Sequence, residues 1–143
     1  MIINKKGVDL IKEFEGCKLH AYQDQRGRWT IGYGWARNVN PGDIWTQDKA
    51  DRYLAEALDD YNRAISSYLG TAPTTSNQFS AMVSLAYNIG IGNFLNSSVL
   101  RNHKLKQYDK AADSFLLWDK VNAKFNKGLH RRRVAERALY VEE

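Results

Sequence analysis

Disulfides cannot hold this chain together, because Cys17 is its only cysteine. A fold that depends on an oxidising compartment is therefore excluded. A lone thiol reads as a small apolar filler, since a catalytic one needs a histidine partner and an electropositive setting. No apolar run approaches the roughly 18 residues a membrane span requires, and the N-terminus MIINKKGVDL lacks the apolar centre of a signal peptide. Stable membrane insertion is not expected, and the chain is expected to reside in a cytoplasm unless something releases it. The three histidines, His20, His103 and His130, do not fall at metal-ligand spacing, so neither a metal nor another cofactor is expected. Repeats and low-complexity segments are missing. So is a clustered basic face with interleaved aromatics, which argues against a nucleic-acid binder.

What is present is a 143-residue chain that is 43% hydrophobic and 12% aromatic, the size and make-up of one globular domain with its own core. Its net charge of +5 favours anionic partners such as nucleic acid, an anionic membrane or an acidic wall polymer, without choosing among them.

The chain is organised around Glu15 to Gly34, EGCKLHAYQDQRGRWTIGYG. Asn4 is a good N-cap, and Val8, Leu10, Ile11 and Phe14 give the apolar stripe of a helix over 5–15. Gly16, able to take positive φ, ends that helix just after Glu15. Leu19 to Tyr22 reads as a strand, Asp24-Gln25-Arg26-Gly27 as a type I turn, and Trp29 to Tyr33 as the returning strand. The segment Trp35 to Trp45 reads as loop with a third short strand at 43–45. Thr46 caps the strongest helix of the chain, 47–69, whose apolar residues repeat without a break from Ala50 to Leu69. After a break at Gly70 to Thr74, Thr75-Ser76-Asn77-Gln78 fits a capping box for a buried helix through Ile89. A short helix near 94–102, another over 108–118, a polar loop at 122–128 and a basic helix over 129–140 complete the chain. The fold class is α+β: a sheet of at most three strands, then four or five helices.

Glu15, Asp24 and Thr30 are brought into one region by the helix end and the hairpin. Two carboxyls in a cleft suit glycoside hydrolysis, where one is protonated and the other ionised. Glu15 is the better acid, because the negative end of a helix and the apolar neighbours Phe14 and Leu19 disfavour its charged form. On that basis Glu15→Gln should cost no stability. Asp24, opening a turn, stays ionised, and the Thr30 hydroxyl is suited to hold the attacking water. The spacing alone is a weak signal: Asp24 in an Asx-turn, Thr30 packed in a strand and Glu15 paired with a Lys or Arg account for it equally.

The wider pattern is more specific. Glu15, Gly16, Leu19, Ala21, Tyr22, Asp24, Gly27 and Trp29 to Gly34 resemble the motif of the phage-type lysozymes, or endolysins, of glycoside hydrolase family 24. AYNIGIGNF (86–94), SSVLR (97–101), YDKAADSFLLW (108–118) and GLHRRRVAERALY (128–140) resemble the family's later blocks in the same order. Asp119 to Lys124 departs from it, where many relatives carry a Gly-Gly turn.

The resemblance implies a muramidase that hydrolyses the β-1,4 bond between N-acetylmuramic acid and N-acetylglucosamine in bacterial peptidoglycan, lysing the host at phage release. It implies a lysozyme-like domain over 1–143: a β lobe at 16–46, a connecting helix at 47–69 and a helical lobe at 75–143. Glu15 takes the role of general acid, with Asp24 and Thr30 completing the triad. Tyr22, Gly34 and Trp35 are candidates for lining the sugar groove, and Asn88 and Phe94 for its opposite wall. The run Arg131 to Arg133 reads as a solvated helix face, whereas the resemblance favours Arg132 or Arg133 approaching Glu15. A monomer, held in the host cytoplasm until a holin-type lesion releases it to the wall or periplasm, is the expected life of the protein. A non-catalytic wall-binding module and a lytic transglycosylase, which manages with one Glu, are the remaining alternatives.

Overall fold

The computed structural model describes residues 1–143. Helix α1 (Lys5–Glu15) starts at Asn4, whose side chain accepts from the Gly7 amide, and stops at Gly16 with φ +69. The Asn4 side-chain amide also donates to Ser76 Oγ and Asn77 Oδ1, at 3.0 and 2.9 Å. This cap therefore ties α1 to the start of α3 (Ser76–Ile89) as well as opening its own helix. Gly7 allows the close approach. A Cβ there would stand 2.7 Å from Ile3 Cγ1 and 2.8 Å from Ser80 Cβ.

Strands β1 (Lys18–Gln23) and β2 (Trp29–Gly32) form an antiparallel hairpin with Tyr22 opposite Thr30 and an irregularity between Lys18 and Tyr22. The turn is the one the sequence predicts, closed by the Gly27 amide on the Asp24 carbonyl at 2.9 Å. The third strand does not form. Ile44 makes only an isolated bridge to His20, because Asn40, Pro41 and Gly42 spend the preceding chain on a tight turn.

Helix α2 (Gln47–Leu69), capped by Thr46, matches its sequence expectation. Its core face carries Ala50, Leu54, Leu58, Ile65 and Leu69. Helix α3 carries the predicted capping box and is buried almost throughout; α1, α2 and the later helices pack around it.

Between α3 and the last helix, the helices are shorter and more numerous than expected. The single helix near 94–102 is two, α4 (Ile91–Leu95) and α5 (Ser98–Lys104). Ser97 divides them by capping α5, its hydroxyl accepting from the Leu100 amide. The 108–118 helix ends early, as α6 (Tyr108–Ser114) tightens into a 3-10 turn at Phe115–Leu117. The predicted loop at 122–128 contains a second small hairpin, β3 (Lys120–Val121) and β4 (Lys124–Phe125). Asn122 and Ala123 turn it with φ of +51 and +65, the pair of positive values a two-residue type I′ turn requires. Ala is not a residue that announces such a turn. Helix α7 (Lys127–Val141) follows, capped by Asn126.

Candidate active site

A cleft of about 560 Å³ opens between the hairpin and the helices. It is lined by Glu15 from α1, by Arg28 and Gly34 to Arg37 from the hairpin and the loop after it, by Ala57, Asp60, Tyr61 and Ala64 from α2, and by Tyr87 and Ile91. The chain reaches it from β2 by a tight turn in which Ile31 and Trp35 exchange both backbone hydrogen bonds, at 2.8 and 2.9 Å. Gly34 sits in that turn at φ +91, and a Cβ there would lie 3.7 Å from Glu15 Oε1. A residue other than glycine would strain the turn and fill space beside the carboxylate.

Glu15 is not in the apolar setting that Phe14 and Leu19 suggest. Arg132 Nη1 donates to its Oε2 at 2.6 Å. The Arg132 side chain is only 4% exposed, against 21% for Glu15. Arg132 places one acceptor on each nitrogen: Glu15 on Nη1, Glu136 Oε2 on Nε at 3.2 Å, and the Ser84 carbonyl on Nη2 at 3.2 Å. Arg133 is fully buried and donates from Nη2 to Asn88 Oδ1 at 2.6 Å. The arginine run is thus no solvated face. Two of its three guanidiniums point into the core, and one holds the site glutamate, as the resemblance implied.

Asp24 closes its turn as an Asx-type cap. Its Oδ1 accepts from the Arg26 and Arg28 amides, at 2.8 and 2.9 Å, and its Oδ2 from Arg28 Nε at 3.0 Å. The Arg28 amide, helped by the guanidinium and the Arg26 amide, holds the Asp24 carboxyl below its usual range, so it is ionised at neutral pH. Thr30 is buried and donates its hydroxyl to the Arg28 carbonyl at 3.0 Å, which leaves the oxygen free to accept.

Neither Asp24 nor Thr30 is among the residues that line the cleft; Arg28, which contacts both, is. Tyr22, expected in the groove, is not among the cleft-lining residues either. It pairs with Thr30 across the hairpin. Burial first, then the charges of Glu15 and Asp24, push its phenol up.

Of the other expected groove residues, Gly34 and Trp35 line the cleft. The Trp35 indole donates to the Arg37 carbonyl at 3.0 Å and its ring packs on Tyr53, with centroids 4.8 Å apart. Phe94 does not border the cleft. It is wholly buried in the core, where α4 turns it inward. Asn88 is not among the cleft-lining residues, and its Oδ1 accepts from Arg133.

Sequence reasoning missed the wall supplied by α2 and α3. Ala57, Tyr61 and Ala64 read as part of one apolar stripe, yet they form a cleft face beside the core face. The usable signal was their spacing: small residues on either side of Tyr61 leave room that large core residues would fill. Tyr87, which stands 5.5 Å from Tyr61 ring to ring, hydrogen-bonds the Tyr33 carbonyl and so fixes the turn against α3. Burial, with the charge of Glu15 behind it, pushes its phenol far up, so it remains a donor.

The cleft therefore offers a carboxyl gripped by a guanidinium and aromatic walls, while the ionised carboxylate of Asp24 stands outside its lining and meets it through Arg28. The chain as a whole has known counterparts. The endolysin of Acyrthosiphon pisum secondary endosymbiont phage 1 is 40% identical over 144 residues, covering 98% of each chain. The endolysin of Salmonella phage P22 is 41% identical over 146 residues, covering 99% of each. Among solved structures, the muramidase domain of SpmX from Asticaccaulis excentricus superposes with a TM-score of 0.91 at 36% identity, covering 99% of this chain and 98% of that one. The sequence model of the phage lysozymes matches residues 12–136. By sequence and by fold, the chain belongs to the phage lysozyme family.

Proposed function

We propose that Glu15, Asp24 and Thr30 carry out the hydrolysis, within a single lysozyme-like catalytic domain spanning residues 1–143. The activity itself follows from the family: the protein is a glycoside hydrolase, a muramidase that cleaves the β-1,4 bond between N-acetylmuramic acid and N-acetylglucosamine of peptidoglycan. The observation that supports the assignment is a carboxyl in the cleft, Glu15, with Arg28 of the cleft wall binding a second carboxylate, Asp24, that its turn holds ionised. Glu15 protonates the leaving oxygen. Asp24 supports the positive charge that develops on the sugar, and the Thr30 oxygen accepts a hydrogen bond from the attacking water. Trp35 and Tyr61 supply faces for sugar rings.

Product analysis of digested peptidoglycan by mass spectrometry tests this. Wild type should yield reducing muramic-acid ends, and Glu15→Gln should lose at least about 10²-fold in rate. Anhydro-muramic ends would identify a lytic transglycosylase instead. Wild-type rates in Glu15→Gln would sink the assignment of Glu15.

Residence in the host cytoplasm, release through a holin-type lesion and action as a monomer belong to the same proposal. No helix of the chain is long and apolar enough to cross a membrane. Some relatives, such as that of Haemophilus phage HP1, are SAR-endolysins, so the route is testable by expression alone. Lysis is expected only when a holin is co-expressed, and lysis without one would overturn that route.

A further inference from the structure

The buried carboxylate of Glu136 has no part in the reaction above, yet it sits one guanidinium away from it. Glu136 is fully buried on α7 and meets two arginines of its own helix. Arg132 Nε reaches its Oε2 at 3.2 Å, and Arg133 Nε faces its Oε1 at 3.0 Å without the alignment of a hydrogen bond. Ser84 of α3 donates to the same Oε2 at 2.6 Å. Three charged side chains have been taken out of water here, an arrangement that contributes little net stability and is costly to break. Its geometry connects to only one functional group: the far side of Arg132 holds Glu15 at 2.6 Å.

We infer that Glu136 is a positioning residue for catalysis, sharing Arg132 with Glu15 so that Glu15 can take up a proton without stranding a buried cation. This rests on Glu15 being the general acid. While Glu15 is ionised, Arg132 lies between two carboxylates. When Glu15 is protonated, Glu136 is the carboxylate that remains to Arg132. Without Glu136 the guanidinium would have Glu15 as its one anionic partner and would hold it ionised. The charged and titratable groups facing this cluster are few. They are Arg132 and Arg133 from α7 itself, Glu15 from α1, Tyr87 from α3 and Asp119 from the turn before β3, with Tyr22 and Tyr61 behind Glu15. Burial pushes the Glu136 carboxyl up, and Arg133 and Arg132 pull it back.

The test is the pH profile of kcat/KM on purified peptidoglycan for wild type, Glu136→Gln, Arg132→Gln and the double variant, with melting temperatures taken alongside. Glu136→Gln should move the alkaline limb down by about one pH unit, the size of a nearby-charge effect. Its rate on the acid side should stay near wild type. Arg132→Gln should move the limb up, and adding Glu136→Gln to it should change the limb little further. A uniform loss at every pH with the limb in place would make Glu136 merely structural and overturn the inference. A shift of equal size with and without Arg132 would be a through-space charge effect and overturn it too. If Arg132→Gln moves the limb and Glu136→Gln does not, this inference alone fails. If neither moves it, the limb does not belong to Glu15 and both readings fall. Should Glu136→Gln not fold, Ser84→Ala carries the test. It leaves Glu136 Oε2 to Arg132 alone, so the limb should rise, and an unmoved limb overturns the inference.

Discussion

Replacing Glu15 with Gln separates two opposing effects on stability. As the last residue of α1, Glu15 meets the negative end of the helix, and neutralising it there should return about 0.3–1 kcal/mol. Against this stands the 2.6 Å contact with Arg132, a donor only 4% exposed. A hydrogen bond to a charged partner contributes about 1.5–3 kcal/mol, while the neutral carbonyl of Gln would retain about 1 kcal/mol of it. At mid-range the loss exceeds the gain, leaving a net cost of about 0.6 kcal/mol, which lowers Tm by about 1–3 °C in a domain of this size. Glu15→Ala leaves Arg132 Nη1 with no partner and should cost about 2–3 kcal/mol. The expected order by thermal melt is therefore wild type, then Gln, then Ala. The order should survive high salt, because the pair is largely shielded from it. A Gln variant as stable as wild type, or more so, would mean that the helix terminus outweighs the ion pair and would refute the reasoning.

Phe94→Ala should cost about 3–5 kcal/mol through the cavity it leaves, with KM unchanged at temperatures where the variant is folded; a raised KM would put Phe94 in the groove after all. Trp35→Ala should raise KM for peptidoglycan with kcat nearly unchanged, since it removes binding made equally to ground and transition states. Asp24→Asn should lose about 10²-fold in kcat and flatten the acid side of the stability curve. Its carboxyl titrates lower folded than unfolded, so the stability it adds is present above its ordinary value of 3.8 and is lost as pH falls through the folded value. His103 follows the same sign, because its folded value is also depressed. Burial holds its ring neutral between Tyr140 and Thr74, so stability is full above its ordinary 6.5 and declines as pH falls toward the folded value. Urea unfolding above and below that value should show the decline, and His103→Gln should abolish it.

The hairpin, the first three helices and their N-caps were legible because they are set within a few residues. Asn4, Thr46 and Thr75 each cap the amide three positions on. What the sequence hid was set across long separations or by an unmarked backbone. Arg132 reaches Glu15 over 117 residues, so the environment of that carboxyl is written at the other end of the chain. A run of three arginines looks solvated until Glu136, three and four positions on, supplies the anion that lets two of them be buried. The β3–β4 turn was hidden for the second reason, since Ala123 gives no hint of positive φ.

Gly7 sets a limit on how this enzyme can be stabilised. In an exposed helix interior, replacing glycine by alanine is a standard thermostabilising change worth up to about 1 kcal/mol. In α1 the added methyl would collide with Ile3 and Ser80. Relieving that collision would lift the helix away from α3 and carry Glu15, eight residues along the same rod, out of register with Arg132. A stabilisation campaign guided by helix propensity would thus meet its trade-off at this remote position, where a more rigid helix displaces the very carboxyl it carries.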